Sequence, residues 1–277
     1  MMNPYERLAR VLDTIPNGFP ATPGGEHIAV LEWIFTAEEA ELASHLKVRG
    51  ETAEEIAARL GRKAEDLGAL LEIMVSKGQI RGWTSRDGGR KYALMPFAVG
   101  IYEEQLTRMD EEFAQLFEAY FQAGFTEVLG RSTPTYFKVV PVNKSLSSEL
   151  EVFPYEVAEE LVKSAKSIGV RDCVCKKQQE LIGNTCKYPM TVCIILNPRH
   201  EDAFAEDEIT QIISRDEALR VLRESEDAGL VHCTMNVADT GSIFYICNCC
   251  TCCCGVLRGV ASSDRPRAFV KTDYVMG

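Results

Sequence analysis

The sequence predicts a two-domain α+β protein, and three observations support this fold class. The chain has 277 residues, enough for one large or two ordinary domains. Helical periodicity dominates residues 25–125, whereas helices are followed by short apolar strands after residue 150. All eleven cysteines lie after residue 172. We therefore expect a helical domain with one hairpin over residues 1–130 and a small cysteine-rich α/β domain over residues 150–277.

The composition argues against several classes of protein. Hydrophobic residues make up 46% of the chain, as in a globular protein, and no stretch approaches the roughly 20 apolar residues of a membrane span. The first residues lack the basic region and apolar core of a signal peptide, so we expect a cytoplasmic protein. In that reducing compartment, clustered cysteines are typical of metal or redox sites rather than of a disulfide frame.

Three helices and a hairpin are predicted in the first domain. Apolar residues recur at helical spacing within residues 27–46, which predicts the first helix. Thr52 and Glu55 form a capping-box pattern before the next helix, which Gly61 ends. A third helix covers about residues 64–77, and short strands at residues 80–83 and 91–94 flank a turn-forming run.

This order of elements is that of a winged helix, and residues 52–61 resemble the first half of that motif in many bacterial regulators. The third helix would then read DNA, but Glu65, Asp66 and Glu72 on it would face phosphates unfavourably. Residues 50–100 hold eight Lys and Arg against seven Asp and Glu, and the whole chain has a net charge of −11. We therefore do not expect nucleic-acid binding, and predict a winged-helix-like docking or dimerisation module.

A long amphipathic helix is predicted over residues 101–121. Apolar side chains occupy one stripe of this helix, and acidic side chains occupy the opposite side. The stripe either closes the domain or forms the seam of a homodimer, and the sequence leaves both open. A linker that contains Pro134 and Pro141 is expected over residues 130–148.

Two segments of the second domain share one layout: a helix, a glycine, three residues and then a cysteine. Pro154 suits the first turn of the first helix. The helices are predicted to end at Gly169 and Gly229, and the cysteines are Cys173 and Cys233. A pseudo-repeat would therefore place these two thiols at equivalent strand ends.

Four thiols follow the first helix with the spacing Cys173-x-Cys175-x10-Cys186-x6-Cys193, and four is the number that a cubane cluster binds. Cys173 and Cys175 can turn to the same side of an extended segment. Cys193 lies in a predicted buried strand, so it is either a ligand or a core residue. The spacing matches neither the bacterial ferredoxin run nor paired zinc-finger knuckles.

The strongest chemical signal is a run of six cysteines within residues 247–254, directly after a predicted strand at residues 243–246. Thiolates bind soft metals and iron–sulfur clusters. One tetrahedral ion or one cubane uses about four thiolates, so the run holds more sulfur than one centre needs. In extended backbone, Cys249 and Cys250 point to opposite sides, as do Cys252 and Cys253. We therefore expect two centres, or one centre with spare reactive thiols.

The candidate cofactor-binding residues are all the cysteines of the chain: Cys173, Cys175, Cys186, Cys193, Cys233, Cys247, Cys249, Cys250, Cys252, Cys253 and Cys254. The metal ligands predicted among them are Cys173, Cys175, Cys186, Cys193, Cys247, Cys249, Cys252 and Cys253. His232, beside Cys233, is either a partner of the metal site or a structural group.

At these residues the chain resembles the 4Fe-4S ferredoxin-type iron–sulfur binding proteins of anaerobic bacteria and archaea. The matching features are residues 154–156, 173–176, Cys186 with Pro189 and Cys193, residues 229–232, Asn236, and residues 246–254. The winged-helix-like front also fits. The resemblance implies one or two [4Fe-4S] clusters, an electron-transfer or redox-subunit function, and a redox partner protein. Two features differ: Lys176 stands where relatives often have Arg, and longer relatives continue into a ferredoxin module where this sequence ends.

Three functions remain open after this comparison of motifs. They are an iron–sulfur electron-transfer protein or redox subunit, a redox-sensing winged-helix regulator, and a thiol-rich protein that handles zinc or sulfur. The sequence contains no Walker loop, G-x-G-x-x-G motif or serine-nucleophile elbow. This favours an electron carrier or redox subunit over an independent enzyme.

Overall fold

The computed structural model describes residues 3–15, 17–85, 87–126, 137–139, 158–235 and 244–262. The chain forms two compact units, Met1–Val128 and Leu129–Gly277, here called the N-terminal and C-terminal units. Both helices and sheets are present, which is compatible with the predicted α+β class. Among the described residues, no helix is long and apolar enough to cross a membrane.

The described part of the N-terminal unit consists of helices and one antiparallel hairpin. Thr52 and Glu55 form the predicted capping box, and Gly61 ends the helix with a φ of 65°. A turn of π-helical type covers Phe121–Phe125, and a 3₁₀ turn covers Glu103–Gln105. The segment Phe97–Ile101 is irregular, because the backbone of Ala98, Val99 and Gly100 is not helical. The regular elements are α1 Pro4–Thr14, α2 Glu26–Ile34, α3 Ala37–Ala43, α4 Ala53–Leu60, α5 Ala64–Ser76, β1 Arg81–Thr84, β2 Arg90–Ala93 and α6 Glu111–Tyr120.

Two helix predictions in this unit were wrong about continuity. Residues 27–46 do not form one helix, because Thr36 leaves the helical region with a ψ of 165° and begins α3 through a capping box with Glu39. The predicted helix over residues 101–121 is interrupted at Asp110, whose side chain accepts the backbone N–H of Phe113 and caps α6. In both cases a polar side chain satisfies the exposed N–H groups of a new helix start.

The apolar stripe of residues 101–121 packs largely inside the N-terminal unit. Tyr102 and Tyr120 are buried. The ring of Tyr102 stacks on that of Phe117 with centroids 4.0 Å apart, and the ring of Tyr120 lies 4.9 Å from that of Phe19. Much of the stripe is therefore buried in the core of this unit. A homodimer through residues 101–121 stays a prediction.

The C-terminal unit is built on one antiparallel sheet. The order of its six described strands is β3-β7-β8-β5-β4-β6, and every neighbouring pair is antiparallel. The elements are β3 Phe137–Val139, α7 Ala158–Ser164, β4 Ser167–Asp172, α8 Val174–Leu181, β5 Thr191–Asn197, β6 Gln211–Ile212, α9 Arg215–Asp227, β7 Val231–Met235, β8 Phe244–Cys249 and α10 Gly255–Ser262.

Helices α7 and α9 cover one face of this sheet. Ile168, Ile194 and Ile246, from three neighbouring strands, pack against Val162 of α7 and Leu222 of α9. Because side chains alternate along a strand, the residues directly before and after each isoleucine point to the opposite face of the sheet. The strand cysteines of β5 and β8 lie on that opposite face.

The prediction that Gly169 ends a helix was wrong. Helix α7 ends at Ser164, and Gly169 lies in the middle of β4. A Cβ at this position would stand 2.2 Å from Cγ2 of Thr210, so the glycine permits a close approach of the Thr210 segment. Gly229, by contrast, follows α9 with a φ of 74°. The two glycines have different roles, so the structure does not support the pseudo-repeat.

Some predictions for this unit fall on residues that the structure does not describe. Pro154, the predicted start of the first helix, lies outside the described residues. Of the predicted linker at residues 130–148, only residues 137–139 are described, and they form β3 at the end of the sheet.

We expect the substitution Gly169→Ala to lower the free energy of unfolding of the C-terminal unit by about 1–3 kcal/mol, because the new methyl group clashes with Thr210. Urea unfolding followed by circular dichroism would measure the change. Thr210→Ser removes the clashing methyl and keeps the hydroxyl that accepts a hydrogen bond from Arg171. The double variant should therefore regain much of the lost stability. Unchanged stability of Gly169→Ala would contradict the proposed close packing.

Candidate metal centre

Strands β5, β8 and β7 lie side by side and bring four cysteines to one face of the sheet. The register pairs Cys233 of β7 with Cys247 of β8. The register of β5 on β8 sets Cys193 beside Cys247, and these two thiols interact. Paired residues of antiparallel strands share a face, and so does Cys249, two residues beyond Cys247. Strand pairing alone therefore assembles four of the thiols.

Three further thiols join this face from residues at the starts of two helices. Cys173 directly precedes α8, Cys175 lies in its first turn, and Cys254 directly precedes α10. The Cys175 thiol interacts with those of Cys173 and Cys254, and the Cys254 thiol interacts with that of Cys249. We call the connected set the seven-thiol group: Cys173, Cys175, Cys193, Cys233, Cys247, Cys249 and Cys254.

Several thiols of this group have raised pKa values, so it is difficult to ionise neighbouring members at the same time. A hydrogen bond with the Cys233 thiol and burial raise the pKa of Cys249 to about 12, although hydrogen bonds with the Cys247 and Cys254 thiols act to lower it. A hydrogen bond with Cys175 and burial raise the pKa of Cys173. Several such thiols can be thiolates together only when a cation offsets their charge. The group therefore suits a metal-containing cofactor better than it suits a free thiolate nucleophile.

The remaining thiols form a second, compact set, here called the four-thiol group: Cys186, Cys250, Cys252 and Cys253. Their sulfur atoms all lie within 4.8 Å of one another. The Cys186 sulfur is 3.7 Å from those of Cys250 and Cys252, and the Cys252 and Cys253 sulfurs are 3.6 Å apart. These four residues could hold a metal ion or a cluster.

A tight turn after β8 creates the four-thiol group. The backbone N–H of Cys254 donates to the carbonyl of Cys250 at 3.2 Å, which closes the turn. Cys186 comes from the segment between α8 and β5, and it packs in one apolar cluster with Cys250 and Cys253. Residues that are 64 positions apart in the chain are thus brought into contact.

Cys250 differs from Cys252 and Cys253 of the four-thiol group in having a lowered pKa. Burial opposes its ionisation, but hydrogen bonds from the Cys252 thiol, the Cys253 backbone N–H and the Cys186 thiol lower its pKa overall. Burial and the neighbouring Cys250 raise the pKa of Cys253. A thiol with a lowered pKa loses its proton to an incoming cation most readily, and each further thiol that binds the cation then releases its own proton.

The structure divides the predicted set of Cys173, Cys175, Cys186 and Cys193 between the two groups. Cys186 belongs to the four-thiol group, and the other three belong to the seven-thiol group. The thiols of Cys173 and Cys175 do interact as expected. They do so because the two residues lie at the start of α8, whereas the prediction placed them on one extended segment. The closeness of these cysteines in the sequence does not correspond to one shared site in space.

The cysteines of the run at residues 247–254 are also divided between the two groups, in part as expected. Cys249 ends β8 and Cys250 follows it, and their thiols belong to different groups. Cys252 and Cys253 were expected on opposite sides, but they share one group because residues 251–253 form a turn. Cys250 and Cys254 were not among the predicted metal ligands, yet each contacts the thiols of its group.

Lys176 is a buried basic residue next to Cys175 in the chain, and the sequence patterns gave it no role in the site. Its side chain is fully buried, and its Nζ donates to the Pro189 carbonyl at 2.5 Å. Its own backbone N–H acts on the Cys173 sulfur. No carboxylate of the described chain lies within ion-pair distance of Nζ. A buried ammonium is costly without an anion nearby, so Lys176 favours a negatively charged cofactor at these thiols.

His232 contacts Asn248 of β8 and does not face the seven-thiol group. Nδ1 of His232 lies 2.5 Å from Oδ1 of Asn248, and Nδ2 of Asn248 donates to the Val192 carbonyl at 2.6 Å. Burial lowers the pKa of His232, which favours the neutral ring. His232 and its neighbour Cys233 alternate along β7, so the imidazole points away from the seven-thiol group.

No protein-family model, curated protein or solved structure matches this chain. These comparisons neither support nor contradict the resemblance to ferredoxin-type proteins. The interpretation of the site therefore depends on its own geometry and chemistry.

We expect Lys176→Met to have opposite effects in metal-free and metal-loaded protein. Without metal, loss of the buried charge should leave stability unchanged or raise it, whereas with metal it should lower stability by about 1 kcal/mol or more. Chemical unfolding and metal analysis of both forms would measure this. Lys177→Met is the matched control, because Lys177 is half-buried and pairs with Glu180. A change of the same sign in both forms would contradict a role as counter-charge.

Proposed function

We propose that this protein is an iron–sulfur-binding redox protein whose C-terminal unit transfers electrons. The observation that carries the proposal is the seven-thiol group on one face of the antiparallel sheet. It contains more thiols than one zinc ion binds, which is about four. Its residues are buried or half-buried, and all of them are free cysteines.

The spacing of these thiols supports a multi-atom cofactor. In the described chain, the four-thiol group is the one set of three or more ligands found close enough together to hold a metal ion. The seven thiols are connected by successive pairwise contacts, which run from Cys173 through Cys175 and Cys254 to Cys249 and branch there to Cys233 and to Cys247 with Cys193. A single ion needs its ligands close together, whereas a cluster binds its thiolates through different iron atoms and accepts a wider arrangement. The seven-thiol group therefore fits a cluster better than it fits one ion.

An iron–sulfur cluster held by four of these thiols would supply one-electron transfer. The chain contributes burial, which limits the access of water to the sulfurs, and the positive charge of Lys176. A buried cation favours the reduced, more negative state of a nearby centre and so raises its reduction potential. The net charge of −11 suits docking with a basic redox partner.

The order of elements in the N-terminal unit supports a second candidate, a redox-sensing regulator. Helices α4 and α5 followed by the hairpin β1–β2 have the order of a winged helix. The charges argue against DNA contact, because Arg59 pairs with Glu51 and Arg90 pairs with Glu72. Phosphates would have to compete with these carboxylates. We therefore favour a winged-helix-like module that docks a protein partner.

Metal and sulfide analysis of the anaerobically purified full chain tests the proposal. We expect brown protein that absorbs broadly near ~400 nm and contains iron together with acid-labile sulfide. Cys249→Ser should remove at least about half of the iron and sulfide, because its thiol interacts with those of Cys233, Cys247 and Cys254. Thr251→Ala, at an exposed position of the same run, is the control and should change neither.

Two outcomes would contradict the proposed function. Colourless protein that contains zinc and no sulfide would show that the protein has no iron–sulfur centre. DNA binding that is sequence-specific and changes on oxidation would instead favour the regulator.

A further inference from the structure

We infer that the four-thiol group holds a single tetrahedral metal ion, zinc or iron, as a centre separate from the cluster of the seven-thiol group. This inference deepens the proposed function and rests on it only for the identity of the other centre. It assigns the two sets of thiols in one unit to two kinds of metal chemistry.

The distances between the sulfur atoms carry the inference. Around one ion with metal–sulfur bonds of about 2.3 Å, tetrahedrally placed sulfurs lie about 3.8 Å apart. The Cys186–Cys250, Cys186–Cys252 and Cys252–Cys253 separations are 3.7, 3.7 and 3.6 Å. The other pairs are within 4.8 Å. A cubane binds each thiolate through a different iron, which would separate the sulfurs further.

The turn provides a second, independent observation. Cys250 and Cys253 form a C-x2-C pair, the spacing found in structural zinc sites. The Cys253 backbone N–H acts on the Cys250 sulfur, and the Cys254 N–H closes the turn on the Cys250 carbonyl. Backbone N–H groups directed at a ligand sulfur offset the charge of a metal–thiolate centre. The C-x2-C pair is thus held by its own backbone, and Cys186 and Cys252 complete the four ligands.

The position of this ion gives it a structural role. Cys250 and Cys253 are buried, whereas Cys186 is half-buried and Cys252 is exposed, so an ion can reach the group from solvent. A bound ion would join the Cys186 segment to the turn after β8. The same turn leads directly into Cys254, a member of the seven-thiol group. Binding energy at the four-thiol group therefore stabilises the position of a cluster-side thiol.

Ligand variants of the full chain test the inference. Cys252→Ser changes an exposed residue and should disturb packing least. We expect it to lose one equivalent of metal per chain and to keep its acid-labile sulfide. Cys186→Ser should lose the same equivalent. Cys249→Ser, in the seven-thiol group, is the matched control and should lose iron and sulfide together. Analysis of the lost ion distinguishes zinc from iron.

A measurement on unchanged protein keeps the test independent of variant folding. A cubane contains iron and sulfide in equal numbers, so the metal content should exceed the sulfide content by one ion per chain. X-ray absorption at the edge of that ion should show four sulfur neighbours at about 2.3 Å. Equal total metal and sulfide, or loss of several irons with sulfide in Cys252→Ser, would overturn the inference.

The outcomes separate this inference from the proposed function. One zinc per chain bound by four sulfurs, without any sulfide, would support the inference and overturn the iron–sulfur function. Metal and sulfide that respond to Cys249→Ser, with no loss in Cys252→Ser or Cys186→Ser, would support the function and overturn the inference.

Discussion

The pairing of β8 between β5 and β7 is the constraint on which the candidate metal centre depends. Cys247 and Cys249 point to the thiol-bearing face, and Asn248 between them points to the other face. Asn248 bonds the Val192 carbonyl of β5 at 2.6 Å and lies 2.5 Å from the His232 ring of β7. A slip of one residue would turn both cysteines toward the helix-covered face. The contacts of the buried Asn248 amide on one face therefore help to fix the strand register that places the thiols on the other face.

The change from strand to turn at Cys249–Cys250 allows one short run to contribute to two groups of thiols. Up to Cys249 the backbone is extended, so alternate residues share a face with the thiols of neighbouring strands. After it the chain turns, and the sulfurs of Cys252 and Cys253 come within 3.6 Å of each other. The change in backbone conformation therefore divides the cysteines of the run between the two groups, and the turn that forms the four-thiol group leads directly into Cys254 of the seven-thiol group.

Local physical chemistry made much of the fold predictable. The capping box of Thr52 and Glu55 and the helix end at Gly61 depend on residues close in sequence. The interruptions at Thr36 and Asp110 are also local, but hydrophobic periodicity continued across them and concealed the caps. The prediction that Gly169 ends a helix was wrong because this glycine has another role. It leaves room for the side chain of Thr210, which is distant in the sequence, so the contact cannot be found from local sequence patterns.

The sequence by itself determined that the C-terminal unit is a thiol site, since eleven cysteines follow residue 172. It could not choose ligand sets, because Cys247 with Cys250, Cys249 with Cys252, and Cys250 with Cys253 all have C-x2-C spacing. Only the tertiary structure decided that the last pair acts together and draws in Cys186. The physical reason is that spacing along a chain is degenerate, whereas ligand geometry depends on strand register and on turns that bring distant residues together.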